Sequence, residues 1–108
     1  MDDPFEINDV VRLLGVSASM LRYWESKGLF TVKKGQNSYR QYTMEDLVRI
    51  ADIIFYRSIE IPIEKIKKFD NYSLEMYHSE FIEQEILLKQ KMELLSNISE
   101  KIHKKRRI

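Results

Sequence analysis

The last third of the chain holds a long stretch without glycine or proline, from Leu74 to about Lys104. Apolar residues recur there at intervals of seven, which predicts one long helix with an apolar stripe. About 30 residues of helix are roughly 45 Å long, more than the preceding part of the chain can cover at both ends. We therefore expect a second copy of the helix as partner. The predicted dimerisation residues are Phe81, Leu88, Met92, Leu95, Ile98 and Ile102.

A second stretch, residues 16–28, has the start and stop signals of a short helix. Ser17 is a good N-cap because its hydroxyl can accept from free backbone N–H groups. Gly28 suits the left-handed conformation that ends many helices. Met20, Leu21 and Trp24 have helical spacing and are predicted to face a core. The remaining positions form an outer face.

That outer face carries groups that bind phosphate and base edges. It holds hydroxyls, two fixed cations and a phenol, a set that suits a groove of DNA. The alternative is an ordinary solvated helix face that binds nothing. The residues concerned are Ser17, Ser19, Arg22, Tyr23 and Lys27.

An earlier short helix precedes this one. Asn8 is its predicted N-cap, and Gly15 ends it. Two short helices joined by a turn that contains glycine are typical of a helix-turn-helix.

The residue types over 29–42 are typical of a β-hairpin. Strand formers over 29–32 precede a turn cluster over 35–38. Tyr39 and Tyr42 are predicted on one side of the second strand. Lys33, Lys34 and Arg40 are either phosphate contacts or solubilising residues of the turn. An isolated hairpin is only marginally stable in water, so we expect this one to pack on the helices.

A second helix pair follows the hairpin. Thr43 caps its first helix with only a partial capping box, and Pro62 opens the next short helix. We therefore expect a mainly α fold with a small hairpin. A winged helix-turn-helix domain spans 1–72, and the dimerisation helix with its basic end spans 73–108.

Charge is distributed unevenly along the chain. Residues 10–42 hold six lysine and arginine residues and a single acid, Glu25, whereas residues 73–100 hold six glutamates and two lysines. The formal net charge of +1 conceals this contrast. The basic part can engage phosphates, and the acidic part is poorly suited to do so.

Several function classes lack their signals. The chain has no cysteine, which excludes disulfides and thiolate metal sites and fits a reducing cytoplasm. No apolar run approaches the length of a membrane span. No phosphate loop, nucleophile motif or ligand cluster indicates an enzyme, a metal site or a cofactor.

Four motifs, in this order, closely resemble the MerR family of bacterial transcription regulators. They are 21–25, LRYWE; 27–29, KGL; 37–42, NSYRQY; and 45–47, EDL. The resemblance continues through residues 61–66, similar to the family's next short helix, and the long helix, similar to its dimerisation arm. Ser38 departs from the family pattern, which often has glycine after asparagine there.

The resemblance implies a homodimer that binds an inverted repeat in promoter DNA, bends and untwists it, and works with RNA polymerase. It implies that Arg22 and Tyr23 contact DNA and that Tyr39 and Arg40 contact the flanking backbone. The chain ends where the family's effector domain begins, so no effector domain is expected within it. Two alternatives stay open: a coiled-coil interaction adaptor and an excisionase-like architectural DNA-binding protein.

Overall fold

Helices dominate residues 4–108, which are the residues that the computed structural model describes. The order is α1 (Ile7–Leu14), α2 (Ala18–Ser26), β1 (Lys33–Lys34), β2 (Arg40–Gln41), α3 (Met44–Ser58), α4 (Ile63–Ile66) and α5 (Leu74–Arg106). A 3-10 turn spans Phe69–Asn71. The expected class, mainly α with a small hairpin, is confirmed. Two compact units divide the chain, one up to Asp70 and one from Asn71 to Ile108.

The first helix begins earlier than the sequence predicted. Its N-cap is Glu6, not Asn8, because the Asp9 carboxylate accepts from the Glu6 N–H at 2.9 Å. An acid in the first turn also suits the helix dipole. Gly15 ends α1 at φ 69°, as predicted, and leads into α2.

Both termini of α2 follow the predicted chemistry. The Ser17 hydroxyl accepts from the Met20 N–H at 3.1 Å. At the other end the Gly28 N–H bonds to Glu25, and the Leu29 N–H to Trp24. These two bonds, with Gly28 at φ 83°, form a Schellman motif. They fix the direction in which the chain leaves the helix.

One predicted core residue of α2 is wrong. Leu21 and Trp24 are buried, but Met20 is 41% exposed. Leu21 and Trp24, three residues apart, define the buried face, and Met20 lies at its rim.

The hairpin lies later in the chain than predicted. Residues 29–32 form no strand; Leu29 and Phe30 are buried beside the end of α2. The strands are β1 and β2, in register Lys33 with Gln41 and Lys34 with Arg40. Their surroundings, residues 33–42, are called the wing below.

The two tyrosines of the wing lie in opposite environments, which corrects the prediction that they share a side. Tyr39 is 72% exposed and Tyr42 is fully buried. Residues three apart in an extended chain point to opposite faces. Tyr42 also pairs with Phe5 through two backbone hydrogen bonds of 2.8 Å, which attach the N-terminal lead-in to the wing.

The second helix pair completes the core of the first unit. Thr43 and Asp46 form a full capping box, with bonds of 2.8 and 3.1 Å, where the sequence predicted a partial one. Pro62 opens α4 as expected. Each fully buried aliphatic side chain contributes about 1.5–3 kcal/mol relative to an exposed one. The core residues are Val10, Leu21, Trp24, Leu29, Phe30, Tyr42, Leu47, Ile50, Ile53, Ile61 and Ile66.

The second unit is built on α5, a helix of 33 residues. The Ser73 hydroxyl caps it by accepting from the Met76 N–H at 3.1 Å. His103, Lys104, Lys105 and Arg106 occupy the last turn, where the dipole favours cations. The predicted long helix is confirmed.

Candidate nucleic-acid interface

The outer face of α2 is a continuous polar surface opposite Leu21 and Trp24. Arg22, Tyr23 and Lys27 are exposed. At 100° per residue, Arg22 lies on one side of Ser19, and Tyr23 and Lys27 lie on the other. The structure therefore places the predicted α2 side chains together on one helix face.

Four of these side chains already have partners on the same helix face. The Ser17 hydroxyl accepts from Met20 and lies 3.2 Å from the Ser19 hydroxyl. The Lys27 ammonium lies 5.5 Å from the centre of the Tyr23 ring. Such a cation–π contact keeps the ammonium close to the face of the tyrosine ring.

Ser26 belongs to the same face, although the sequence reasoning did not include it. Its hydroxyl donates to the Tyr23 carbonyl at 2.6 Å, within the helix. The sequence could have indicated this, because Ser26 is seven residues after Ser19 and three after Tyr23, which places all three on one side of a helix.

The wing presents its own cations. Lys33 and Lys34 are exposed on β1, and Tyr39 is exposed at the end of the turn. Lys34 is directly paired with Arg40 across the hairpin, and like charges in that position repel each other. The repulsion favours any acid that can reach one of the two.

Glu25 is that acid. The Arg40 Nε donates to Glu25 Oε1 at 2.8 Å, and both side chains are mostly buried. From the sequence, Arg40 is either a phosphate contact or a solubilising residue of the turn, and Glu25 has no predicted role. The sequence holds only a partial signal: Glu25 is the single acid between residues 10 and 42, but its spacing does not indicate which of the six cations it meets. The bond joins the wing to α2.

The Tyr42 hydroxyl lies near this ion pair without a hydrogen-bond partner among the described residues. Burial raises the pKa of the Tyr42 phenol, and the Glu25 carboxylate raises it further. The neutral phenol is therefore the stable form in the fold.

The predicted dimerisation residues lie along α5. Phe81 and Leu88 are half-buried, and the Tyr77 and Phe81 rings meet edge to face at 4.8 Å. The others are exposed by 43–70%, an apolar stripe of the kind that a partner helix covers. They are Met92, Leu95, Ile98 and Ile102.

Residues 4–108 contain neither a cluster of metal ligands nor a membrane-spanning helix. No group of three or more His, Asp or Glu side chains there is arranged to hold a metal ion. No helix among them is long and apolar enough to cross a membrane.

Comparisons with known proteins identify the family of this chain. Residues 5–73 match the family described as MerR HTH family regulatory protein. The HTH-type transcriptional regulator SkgA of Caulobacter vibrioides is 34% identical over 64 residues, 58% of this chain and 25% of that protein. The Multidrug-efflux transporter 1 regulator of Bacillus subtilis is 31% identical over 100 residues, 91% of this chain and 36% of that protein. The chain thus spans about a quarter to a third of these relatives.

Solved structures share the fold. MtaN, the N-terminus of the Bacillus subtilis multidrug transporter activator, superposes with a TM-score of 0.77 at 21% identity, over 93% of this chain and 95% of that one. HiNmlR, a MerR family regulator lacking the sensor domain and bound to promoter DNA, gives 0.72 at 20% identity, over 94% and 86%. The family match covers the helix-turn-helix, the wing and the second helix pair described above. This chain belongs to the MerR family of helix-turn-helix regulatory proteins.

Proposed function

We propose that the chain is a DNA-binding transcription regulator that acts as a homodimer on an inverted repeat in promoter DNA. The observation that carries the proposal is the outer face of α2, which gathers Arg22, Tyr23 and Lys27 on one capped helix beside a basic wing. We call α2 the recognition helix below. It enters a major groove, and the wing contacts the adjacent backbone.

The charges of α5 support a homodimer and favour one orientation. Residues 74–88 hold four glutamates and no lysine or arginine, whereas residues 89–107 hold seven cations and two glutamates. In an antiparallel pair, the acidic part of one helix lies beside the basic part of the other. A parallel pair would align like charges, which is unfavourable.

The length of α5 suits this task. Its 33 residues span roughly 50 Å, and successive major grooves on one face of DNA lie about 34 Å apart. We propose that the arm, residues 73–108, holds two recognition helices at whole-turn spacing. Residues 1–72 then form the DNA-binding domain.

Binding both half-sites bends and untwists the duplex, and this deformation realigns the promoter for RNA polymerase. The protein would act in the bacterial cytoplasm. We assign it no catalytic role, because its family is one of transcription regulators.

Selection of bound DNA from a random pool, followed by a salt titration, tests the proposal. We expect an inverted repeat. If each subunit neutralises four to five phosphates, the log–log salt slope of the dimer is about −7 to −9. A slope near zero, or a pool without an enriched repeat, would contradict the proposal and favour the adaptor alternative.

The architectural alternative makes a different prediction. An excisionase-like protein needs no long apolar arm and would enrich sites without two-fold symmetry. The symmetry of the selected site therefore distinguishes it from the regulator.

A further inference from the structure

Arg49 of α3 connects two distant segments of the first unit. Its Nε donates to the Leu29 carbonyl at 2.8 Å, across 20 positions of sequence. Its two terminal nitrogens donate to the Asp70 carboxylate at 3.3 and 2.8 Å, across 21 positions. One planar guanidinium therefore serves all three bonds.

Leu29 marks the end of the recognition helix. Its N–H bonds to the Trp24 carbonyl in the Schellman motif, and its side chain is 1% exposed. The carbonyl that Arg49 holds thus belongs to a residue fixed to the last turn of α2. Arg49 reaches the recognition helix at its C-terminal end.

Asp70 marks the end of the first unit. It lies in the 3-10 turn Phe69–Asn71, and the unit built on α5 starts at the next residue. The chain that leads into the arm therefore departs from a residue that Arg49 holds by two bonds.

The value of this connection is geometric. The side chains of Arg49 and Asp70 are 45% and 66% exposed, so their ion pair adds only about 0–1 kcal/mol to stability. The forked geometry is directional, however, and a lysine ammonium cannot reproduce it. Consistent with the bonds, Arg49 lowers the pKa of the Asp70 carboxyl.

We propose that Arg49 is a positioning residue for DNA recognition, holding the end of the recognition helix and the last residue of the first unit, Asp70, in one fixed geometry. This inference rests on the proposed function above. If two recognition helices are held by paired arms, their separation depends on how each helix is fixed to Asp70, the residue from which the chain continues into the arm. Arg49 then sets how strictly the dimer discriminates between half-site spacings.

Two variants separate the connections. Asp70→Asn weakens the link between Arg49 and the end of the first unit and keeps the Leu29 bond, at an exposed position where the fold is not at risk. Arg49→Lys keeps the charge but loses the fork. Arg57→Lys is the matched control, because Arg57 also lies in α3 and donates to a carbonyl, that of Ile61 at 2.9 Å, but only locally.

The readout is a ratio of affinities. The full chain and each variant are titrated with the selected inverted repeat, with the same repeat carrying one extra base pair between half-sites, and with an unrelated duplex. The inserted pair rotates one half-site by about 35°. A general change in charge or stability alters all three affinities together and cancels in the ratio.

We expect Asp70→Asn and Arg49→Lys to reduce the spacing preference by about fivefold or more, a common size for coupling between sites. Their affinity for unrelated DNA should stay close to that of the unmodified chain, and Arg57→Lys should keep the full preference. Preferences within about twofold of the unmodified chain in both variants would overturn the inference alone. An unmodified chain that prefers no repeat would overturn the proposed function as well.

Discussion

The Arg40 Nε lies 2.8 Å from Glu25 Oε1, so one ion pair ties the wing to the recognition helix. The bond uses Nε, and no bond of the two terminal nitrogens is seen among residues 4–108. Arg40 therefore combines two roles in our proposal. It positions the wing through Glu25, and its remaining N–H groups face the DNA backbone.

Glu25→Ala decides between two opposing effects. Removing an acid from a basic surface favours DNA binding electrostatically, whereas releasing the wing disfavours it. We expect the second effect to dominate, with weaker binding and an unchanged salt slope, because Glu25 neutralises no phosphate. A fluorescence titration at several salt concentrations measures both quantities.

Glu45→Ala is the control for this test. Glu45 is an exposed acid in the first turn of α3 and takes no part in the bond between Arg40 and Glu25. Its removal should leave DNA affinity unchanged or slightly higher. If Glu25→Ala also binds more tightly than the unmodified chain, the ion pair does not position the wing.

Arg22→Ala tests direct contact by the recognition helix. We expect weaker binding and, at one base position in each half-site, a loss of discrimination of about 1–3 kcal/mol. Lys33→Ala should instead weaken binding to all sequences similarly and make the salt slope of the dimer shallower by about two. Binding measured on the selected site and on single-base variants separates the two patterns. Equal losses on every sequence for Arg22→Ala would assign Arg22 to phosphate alone.

Leu88→Asp with Leu95→Asp tests the arm. Two carboxylates placed in the apolar stripe should prevent pairing, because an unpaired charge is costly to bury. We expect a monomer in sedimentation and a loss of about 100-fold or more in affinity for the inverted repeat. Ile86→Asp with Asn97→Asp adds the same charge off the heptad seam and should remain dimeric. An unchanged mass for the first variant would show that the stripe is not the interface.

Ser38→Gly tests strain in the wing turn. Ser38 has φ 62°, and its N–H bonds to the Gly35 carbonyl at 3.1 Å. A residue with a Cβ is disfavoured in this left-handed conformation, so glycine should raise the free energy of unfolding by about 0.5–1 kcal/mol. Gly15→Ala makes the opposite change, since Gly15 also has a left-handed φ, of 69°. An added Cβ meets nothing within 4 Å, so the expected loss of stability comes from the backbone conformation alone. Urea unfolding should show changes of opposite sign.

Local signals predicted the helices well because each one depends on a few neighbouring residues. Ser17 and Thr43 cap helices as predicted, and the heptad spacing correctly indicated a single long α5. The strand position was wrong because burial of Leu29 and Phe30 outweighs their strand preference. Strand propensity alone does not predict which residues the core buries.

The ion pairs of the site were beyond local reasoning. Glu25 meets Arg40, and Arg49 meets Asp70, only after the chain has folded back over 15 and 21 positions. Residue type and spacing placed Arg22 and Tyr23 on an exposed face, because helix periodicity is local. They cannot predict which of several cations is held by an acid from another element.

Tyr42→Phe tests the buried phenol at the centre of the first unit. The Tyr42 hydroxyl is buried without a hydrogen-bond partner among the described residues, so its removal should leave stability at neutral pH unchanged or higher by about 1 kcal/mol. Burial raises the folded-state pKa of this phenol above 10.0. The fold therefore favours the neutral phenol. The free energy of unfolding is at its full value below pH 10, where the phenol is neutral in both states, and it falls as the pH rises through the folded-state pKa. Tyr42→Phe should thus resist alkaline unfolding to higher pH, whereas Tyr39→Phe, at a 72% exposed position, should unfold with the unmodified chain. Circular dichroism between pH 8 and about 12 checks this, and coincident curves for all three proteins would exclude Tyr42 as a source of alkaline instability.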